Sequence, residues 1–221
     1  MPNEIFIYDQ IGGDFWSEGV TAKRVIAELK QFGDEDVTLR INSPGGSVFE
    51  GMAIYNAIKQ YKGKVTTQID SLAASAASVI ALAADEIVMG EGSFLMIHEA
   101  WGVGIGTADD MIATASLLEK VDGEILSIYQ ARTGIETEEL QEMVKAETWL
   151  TADEAIEKGF ADRVIETSKK KKPKKANNQI LQHFKHTPAA LLQDEQPEPE
   201  PKQEKEDYSA LIAEMDGLFI A

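Results

Sequence analysis

Three short blocks hold the residues whose types and spacing could do chemistry. The first, Asn42-Ser43-Pro44-Gly45-Gly46-Ser47-Val48, ends one apolar run and opens a helical one. A strand that stops in Pro-Gly-Gly before a helix presents unspent backbone N–H groups beside a helix N-terminus, a setting for an anion. Glycine is equally what a sharp turn without any ligand requires. The second block, Ser71-Leu72-Ala73-Ala74-Ser75-Ala76-Ala77-Ser78, follows another apolar run and consists of small residues. A serine at a strand-to-helix junction exposes its hydroxyl while the next N–H points at the same place, the logic of a hydrolase nucleophile. Small residues there also simply let a helix pack closely, and Ser71, Ser75 and Ser78 cannot be ranked on composition. The third block, Phe94-Leu95-Met96-Ile97-His98-Glu99, ends a strand-like run in the only histidine before residue 183. A lone histidine is commonly structural. A serine hydroxyl, however, is a poor nucleophile without a neighbouring base, and imidazole is the base best matched to neutral pH.

The elements that must position these blocks follow from periodicity. Residues 4–8, 37–41, 65–69, 86–89 and 94–98 have the apolar character of short strands. Helical spacing marks 20–32 and 48–61, and the small-residue run 72–84 reads as a buried helix. Strands alternating with helices over this length predict an α/β domain with a largely parallel sheet. A long amphipathic helix is expected over 107–132, ended by Thr133-Gly134, with a further helix at 136–145. Thr151 and Glu154 form a capping box that opens a helix at 152–158, stopped by Gly159. Met111, Ile112, Leu117, Leu118, Val121, Ile125 and Ile128 make more than one narrow apolar stripe on the long helix, so part of it is expected to face a second subunit. Gly102, Gly104 and Gly106 lead into it, and that strand could accept an extended substrate by β-addition.

Composition narrows the function classes. The chain has no cysteine, which removes disulfide scaffolds, thiolate zinc sites and cysteine nucleophiles and suits a reducing cytoplasm. Neither a secretory leader nor a membrane-spanning run is recognisable. The net charge is −17, and residues 1–166 carry all of the excess, with 12 Lys and Arg against 29 Asp and Glu, while the remainder has 9 of each. So acidic a body should repel nucleic acid. After Glu166 the composition changes abruptly: residues 169–175 are almost all lysine, and 193–206 are rich in Pro, Glu, Gln and Lys. The expected division is one folded domain at 1–166, a charged, disordered linker at 167–207 and a short docking helix at 208–221, where apolar spacing returns.

Together, in this order and spacing, the three blocks resemble the proteolytic subunit of the Clp protease. The resemblance covers residues 4–166 and rests on Ser-Pro-Gly-Gly at 43–46, Gly51-Met52-Ala53-Ile54-Tyr55, Ala73-Ala74-Ser75-Ala76 and Met96-Ile97-His98. It implies a crotonase-like α/β fold of repeated strand-helix turns with a flexible C-terminal tail, a Ser-His-acid triad, and self-association into rings around a proteolytic chamber. Position by position, it implies Ser75 as nucleophile, His98 as general base, and the backbone N–H groups of Gly46 and Ala76 as oxyanion donors. Ala76 stands where methionine is often found, a change that a backbone donor tolerates. No cofactor, metal, nucleic acid or membrane is implied.

Two features depart from the housekeeping pattern. The run Trp149-Leu150-Thr151-Ala152-Asp153-Glu154-Ala155 aligns Glu147 where an aspartate is usual; glutamate can orient an imidazole, but its extra methylene demands a more distant backbone. The chain also begins almost at its first strand, where housekeeping subunits carry a longer segment that helps engage an ATP-driven unfoldase. With Glu147-Thr148-Trp149 and the charged tail, this start looks like the Clp-related proteases of tailed phages, which cleave scaffold and capsid proteins during head maturation. The expectation is therefore a serine endopeptidase acting on such proteins in the bacterial cytoplasm or inside the prohead. The alternatives are a bacterial paralogue working with an AAA+ unfoldase, and a crotonase-fold acyl-CoA enzyme, which would also use paired backbone donors.

Overall fold

The structure is a computed structural model and describes residues 3–13, 19–165, 181, 184–188 and 191. Strand β1 (Glu4–Tyr8) leads to helix α1 (Ala22–Phe32), which starts where the Thr21 side chain accepts the Arg24 N–H and stops at Gly33, φ 63°. Strand β2 (Val37–Ser43), helix α2 (Val48–Lys59) and strand β3 (Val65–Ala74) repeat the pattern, with Ser47 capping α2. There follow α3 (Ala76–Ala81), β4 (Glu86–Gly90), β5 (Phe94–Ile97), α4 (Ala108–Thr133), α5 (Thr137–Lys145), β6 (Thr148–Thr151), α6 (Ala152–Glu157) and β7 (Arg163–Ile165). Both capping boxes are formed, Thr107 with Asp110 on α4 and Thr151 with Glu154 on α6, satisfying N–H groups that would otherwise be orphaned.

The main sheet runs β1-β2-β3-β4-β7, parallel throughout. What positions the site is the length of β3. Its first half pairs with β4 (Thr66–Ile69 against Glu86–Met89), and its second half pairs instead with β5, Ala74 lying opposite Met96. Strand β6 then adds antiparallel to β5. Residues following β3 and β5 therefore emerge side by side.

Here the sequence-based reading of 72–84 as one helix is corrected. Leu72, Ala73 and Ala74 are strand, fully buried, and only Ala76–Ala81 is helical. A short apolar run buried on every side reads the same in either conformation, and the partner that decides it, β5, is distant in sequence. Strands β6 and β7 were not anticipated, being too short for a period to show.

The core lies on both faces of the sheet, with Ile5, Ile7, Leu39, Ile41, Ile69 and Ile87 wholly buried, consistent with a parallel sheet covered on both sides. Helix α4 is divided: Ile125, Leu126 and Tyr129 are buried, whereas Met111, Ile112 and Leu117 are exposed. Residues 98–105 have no regular structure, so no strand exists there before α4. Within the range read as a charged linker, Leu181 and residues 184–188 and 191 are described, and Leu181 is 1% exposed against the domain. The packed unit thus takes in residues beyond 166.

Candidate active site

Ser75 stands between β3 and α3 at φ 55° and ψ −126°, a region where an L-residue costs on the order of 1–3 kcal/mol. Buried hydrogen bonds impose it. The Ser75 N–H donates to the Met96 carbonyl at 3.0 Å, and the Ser75 carbonyl accepts from both the N–H and the Oγ of Ser78, at 2.9 and 2.7 Å. Since the single hydroxyl hydrogen of Ser78 is used there, Tyr129 Oη, 2.8 Å away, must be the donor to Ser78 Oγ. Tyr129 is 1% exposed and packs edge-on against Phe160, and burial drives its phenol far above the usual tyrosine range. The three serines left unranked by composition therefore differ: Ser71 is buried, Ser78 braces the turn, and Ser75 alone is half-buried.

Strand β5 delivers His98 to the same place. Its Nε2 lies 2.7 Å from Ser75 Oγ, and for that nitrogen to accept, the ring proton must be on Nδ1. Burial lowers the His98 pKa from its ordinary value, and the negative charge of Glu147 opposes the shift. A neutral ring bonded to a hydroxyl is the protonation state a general base needs.

The Pro-Gly-Gly turn closes the other side. Ser43 Oγ donates to the Asp9 carbonyl at 2.6 Å and accepts the Gly45 N–H at 3.2 Å. Ile11 N–H reaches the Gly45 carbonyl at 2.7 Å, and Ser47 N–H the Ile11 carbonyl at 2.8 Å. Only glycine fits these positions. Gly45 and Gly46 have φ of 92° and 144°; a Cβ on Gly45 would lie 2.6 Å from the Ala74 oxygen, and one on Gly46 2.2 Å from the Ile11 oxygen. The turn thus rides directly over Ser75 and Ala76. Among the described residues, neither the Gly46 nor the Ala76 N–H is spent in a hydrogen bond.

Glu147 departs from the expected arrangement. It sits between α5 and β6 at φ 52° and is 9% exposed. Its carboxylate does not bond the His98 ring. Instead Oε1 accepts the His186 N–H at 2.6 Å and the Trp149 Nε1–H at 3.3 Å, while Oε2 accepts the Lys185 N–H at 2.9 Å. Among the described residues no acceptor bonds His98 Nδ1. The carboxylate reaches the ring through its field, while its oxygens are taken up by two main-chain donors and the Trp149 indole.

A cleft of about 530 Å³ opens on Ser75 and His98, lined also by Pro44, Phe49, Trp101, Leu118 and Phe184. Its mixture of apolar wall and backbone donors suits an extended peptide. Asp122 on α4 accepts the Ala100 N–H at 2.6 Å and so ties the irregular segment after His98 to that helix. Sequence reasoning left Ser78 among three unranked serines and missed Tyr129, Asp122 and Phe184. The last left a trace, since Leu181, Phe184 and Leu191 are apolar residues in an otherwise charged tail.

Known proteins bear on this geometry. The family model described as Clp protease matches residues 2–168. The ATP-dependent Clp protease proteolytic subunit 1 of Protochlamydia amoebophila is 34% identical over 165 residues, covering 73% of this chain and 79% of its own length. The corresponding subunit 3 of Rhodococcus jostii is 37% identical over 133 residues, covering 59% of this chain and 65% of its own length. Among solved structures, a substituted ClpP1 from Listeria monocytogenes superposes with a TM-score of 0.65 at 24% identity, over 75% of this chain and 92% of that one. That likeness concerns the fold, in which the α/β arrangement agrees. With the family match running from β1 through β7, the chain belongs to the Clp protease family and is a serine-type peptidase.

Proposed function

We propose that Ser75 is the nucleophile of a serine endopeptidase and His98 its general base. Ser75 Oγ attacks the scissile carbonyl carbon as His98 Nε2 takes its proton. The oxyanion is received by the N–H groups of Gly46 and Ala76, which lie beside the nucleophile with no competing partner among the described residues. The imidazolium returns the proton to the leaving amine, and water, activated by the same ring, releases the acyl group from Ser75. Glu147 favours the imidazolium by its charge, as a positioning residue. The observation that carries this reading is the 2.7 Å contact between Ser75 Oγ and His98 Nε2. The test is labelling by a fluorophosphonate probe, expected on Ser75 and lost in Ser75→Ala; labelling elsewhere would reject it.

As substrates we propose phage scaffold and capsid proteins, cleaved during head maturation in the host cytoplasm. The support is the Glu147-Thr148-Trp149 pattern together with the long charged tail. Self-association belongs to this reading, because Trp101, Val103, Ile105, Ile112 and Leu117 leave an apolar strip in solvent on one side of the body. A second reading, degradation of proteins with an ATP-driven unfoldase, is favoured by the names of the relatives, which are ATP-dependent subunits. Mass spectrometry of products from the chain mixed with its neighbouring capsid protein separates the two: discrete cuts without ATP support the first, and cleavage only with an unfoldase and ATP the second.

A further inference from the structure

Leu181 and residues 184–188 do not merely lie on the surface; they engage the active-site groups themselves. Leu181 is buried among Leu72, Ala74 and Met96, beneath the strands that end at Ser75 and His98. Thr187 Oγ1 donates to the Leu181 carbonyl at 2.7 Å, folding the stretch back on itself. Phe184 stands edge-on to both His98 and Trp149, with ring centroids 5.2 and 5.9 Å away. Beyond it, two consecutive N–H groups, of Lys185 and His186, converge on the Glu147 carboxylate, and His186 Nδ1 lies 3.0 Å from the Ala146 carbonyl. The side chains of Lys185 and His186 are exposed, so the backbone makes the bridge.

This places the carboxylate in competition. Main-chain donors to an ionised acceptor are among the stronger hydrogen bonds. Three donors already occupy Glu147, while the Nδ1–H of the neutral His98 has no acceptor among the described residues. A pocket of about 290 Å³ lined by His98, Glu147, Phe184 and Lys185 lies where ring and carboxylate would have to meet. Phe184 also lines the substrate cleft.

We infer that the stretch carrying Leu181 and residues 184–188 is an intramolecular latch that holds Glu147 off the His98 ring and so restrains the peptidase. This rests on the Ser75-His98 reading above. When the latch lifts, the carboxylate loses its two backbone donors and becomes able to accept the Nδ1–H, which orients the ring and stabilises the imidazolium formed in the transition state. Among the described residues one buried side chain, two ring contacts of Phe184 and three hydrogen bonds hold the latch, few enough for it to lift without unfolding the domain. Release is a population shift between two arrangements of the same residues.

The experiment uses the full chain. Lys185→Pro and His186→Pro each delete one donor to Glu147, and Leu181→Asp removes the anchor by an independent route. Each is expected to raise kcat/KM for a fluorogenic peptide, and the rate of fluorophosphonate labelling of Ser75, by about 10-fold or more. In an E147Q background the rise should vanish. Unchanged or reduced rates in folded variants, checked by circular dichroism, would overturn the latch, as would a rise that survives E147Q. Labelling of Ser75 without any gain rejects the latch alone; absence of labelling in the parent and every variant rejects the Ser75-His98 reading with it.

Discussion

Ser75 and Glu147 occupy matching backbone situations and arrive at opposite outcomes. Each is a non-glycine residue in the left-handed region, at φ 55° and 52°, where a β-strand meets a helix or turn. At Ser75 the strain is held by buried groups of the domain itself, the Met96 carbonyl, Ser78 and through it Tyr129, and the hydroxyl meets the His98 ring. At Glu147 the side chain is held by donors from beyond residue 180, and it misses the ring. A turn braced by core groups prearranges its side chain; a side chain held by donors of an appended stretch can change its partner.

The most severe test of the prearranged end is Ser75→Ala. Peptide cleavage should fall by about 10⁴-fold or more with the fold and assembly intact; undiminished turnover would remove Ser75 from the chemistry. Next in size is Gly46→Ala. Its Cβ would collide with the Ile11 carbonyl, 2.2 Å away, displacing the N–H proposed to receive the oxyanion. Turnover should drop by about 10²–10³-fold, and wild-type rates would show that this N–H takes no part.

A smaller loss is expected from Ser78→Ala. It strips the Ser75 carbonyl of one donor and leaves the buried Tyr129 hydroxyl without its partner, so thermal or denaturant unfolding should show a loss of about 1–3 kcal/mol. An unchanged stability would mean that the turn is held by the strands alone, and the contrast with Glu147 would weaken.

The mildest probe is pH. Burial depresses the His98 pKa, with Glu147 opposing, so the ring stays neutral and able to act as base below the ordinary 6.5. The acid limb of kcat/KM should therefore have its midpoint under 6.5. Stability follows the same sign: the unfolded chain takes up the proton first, so this group costs stability as pH falls from 6.5 towards the depressed folded value. Glu147→Gln removes the opposing charge and should carry the limb to still lower pH. A midpoint above 6.5 would contradict the burial, and no movement in Glu147→Gln would show that its field does not reach the ring.

Much of this was legible beforehand, for identifiable reasons. The elements through 4–61 were read from apolar spacing, and the structure adds caps and a glycine stop at their joints, Thr21, Gly33 and Ser47, so local chemistry agrees with the period. Residues 72–84 misled because a buried strand and a buried helix share one pattern, and the partner that decides it, β5, is remote. The candidate nucleophile could not be separated from Ser71 and Ser78 by composition, since the difference lies in which hydroxyl faces His98. Glu147 was assigned by alignment with its neighbours. That reasoning located the residue beside the site but could not see the two amides from 185 and 186, which come from a stretch whose composition suggested only a linker.

What the sequence by itself determined was the set of parts: turn glycines where no side chain fits, small residues that let a strand and helix meet closely, one imidazole in the body, and capped helices to hold them. These are local properties, set by sterics and hydrogen-bonding capacity within a few residues. Tertiary structure alone decided the pairings, Ser75 with His98 and Glu147 with the backbone at 185 and 186. Such contacts depend on strand register across a sheet and on where a distant stretch comes to rest, and neither is encoded in any short run of residues.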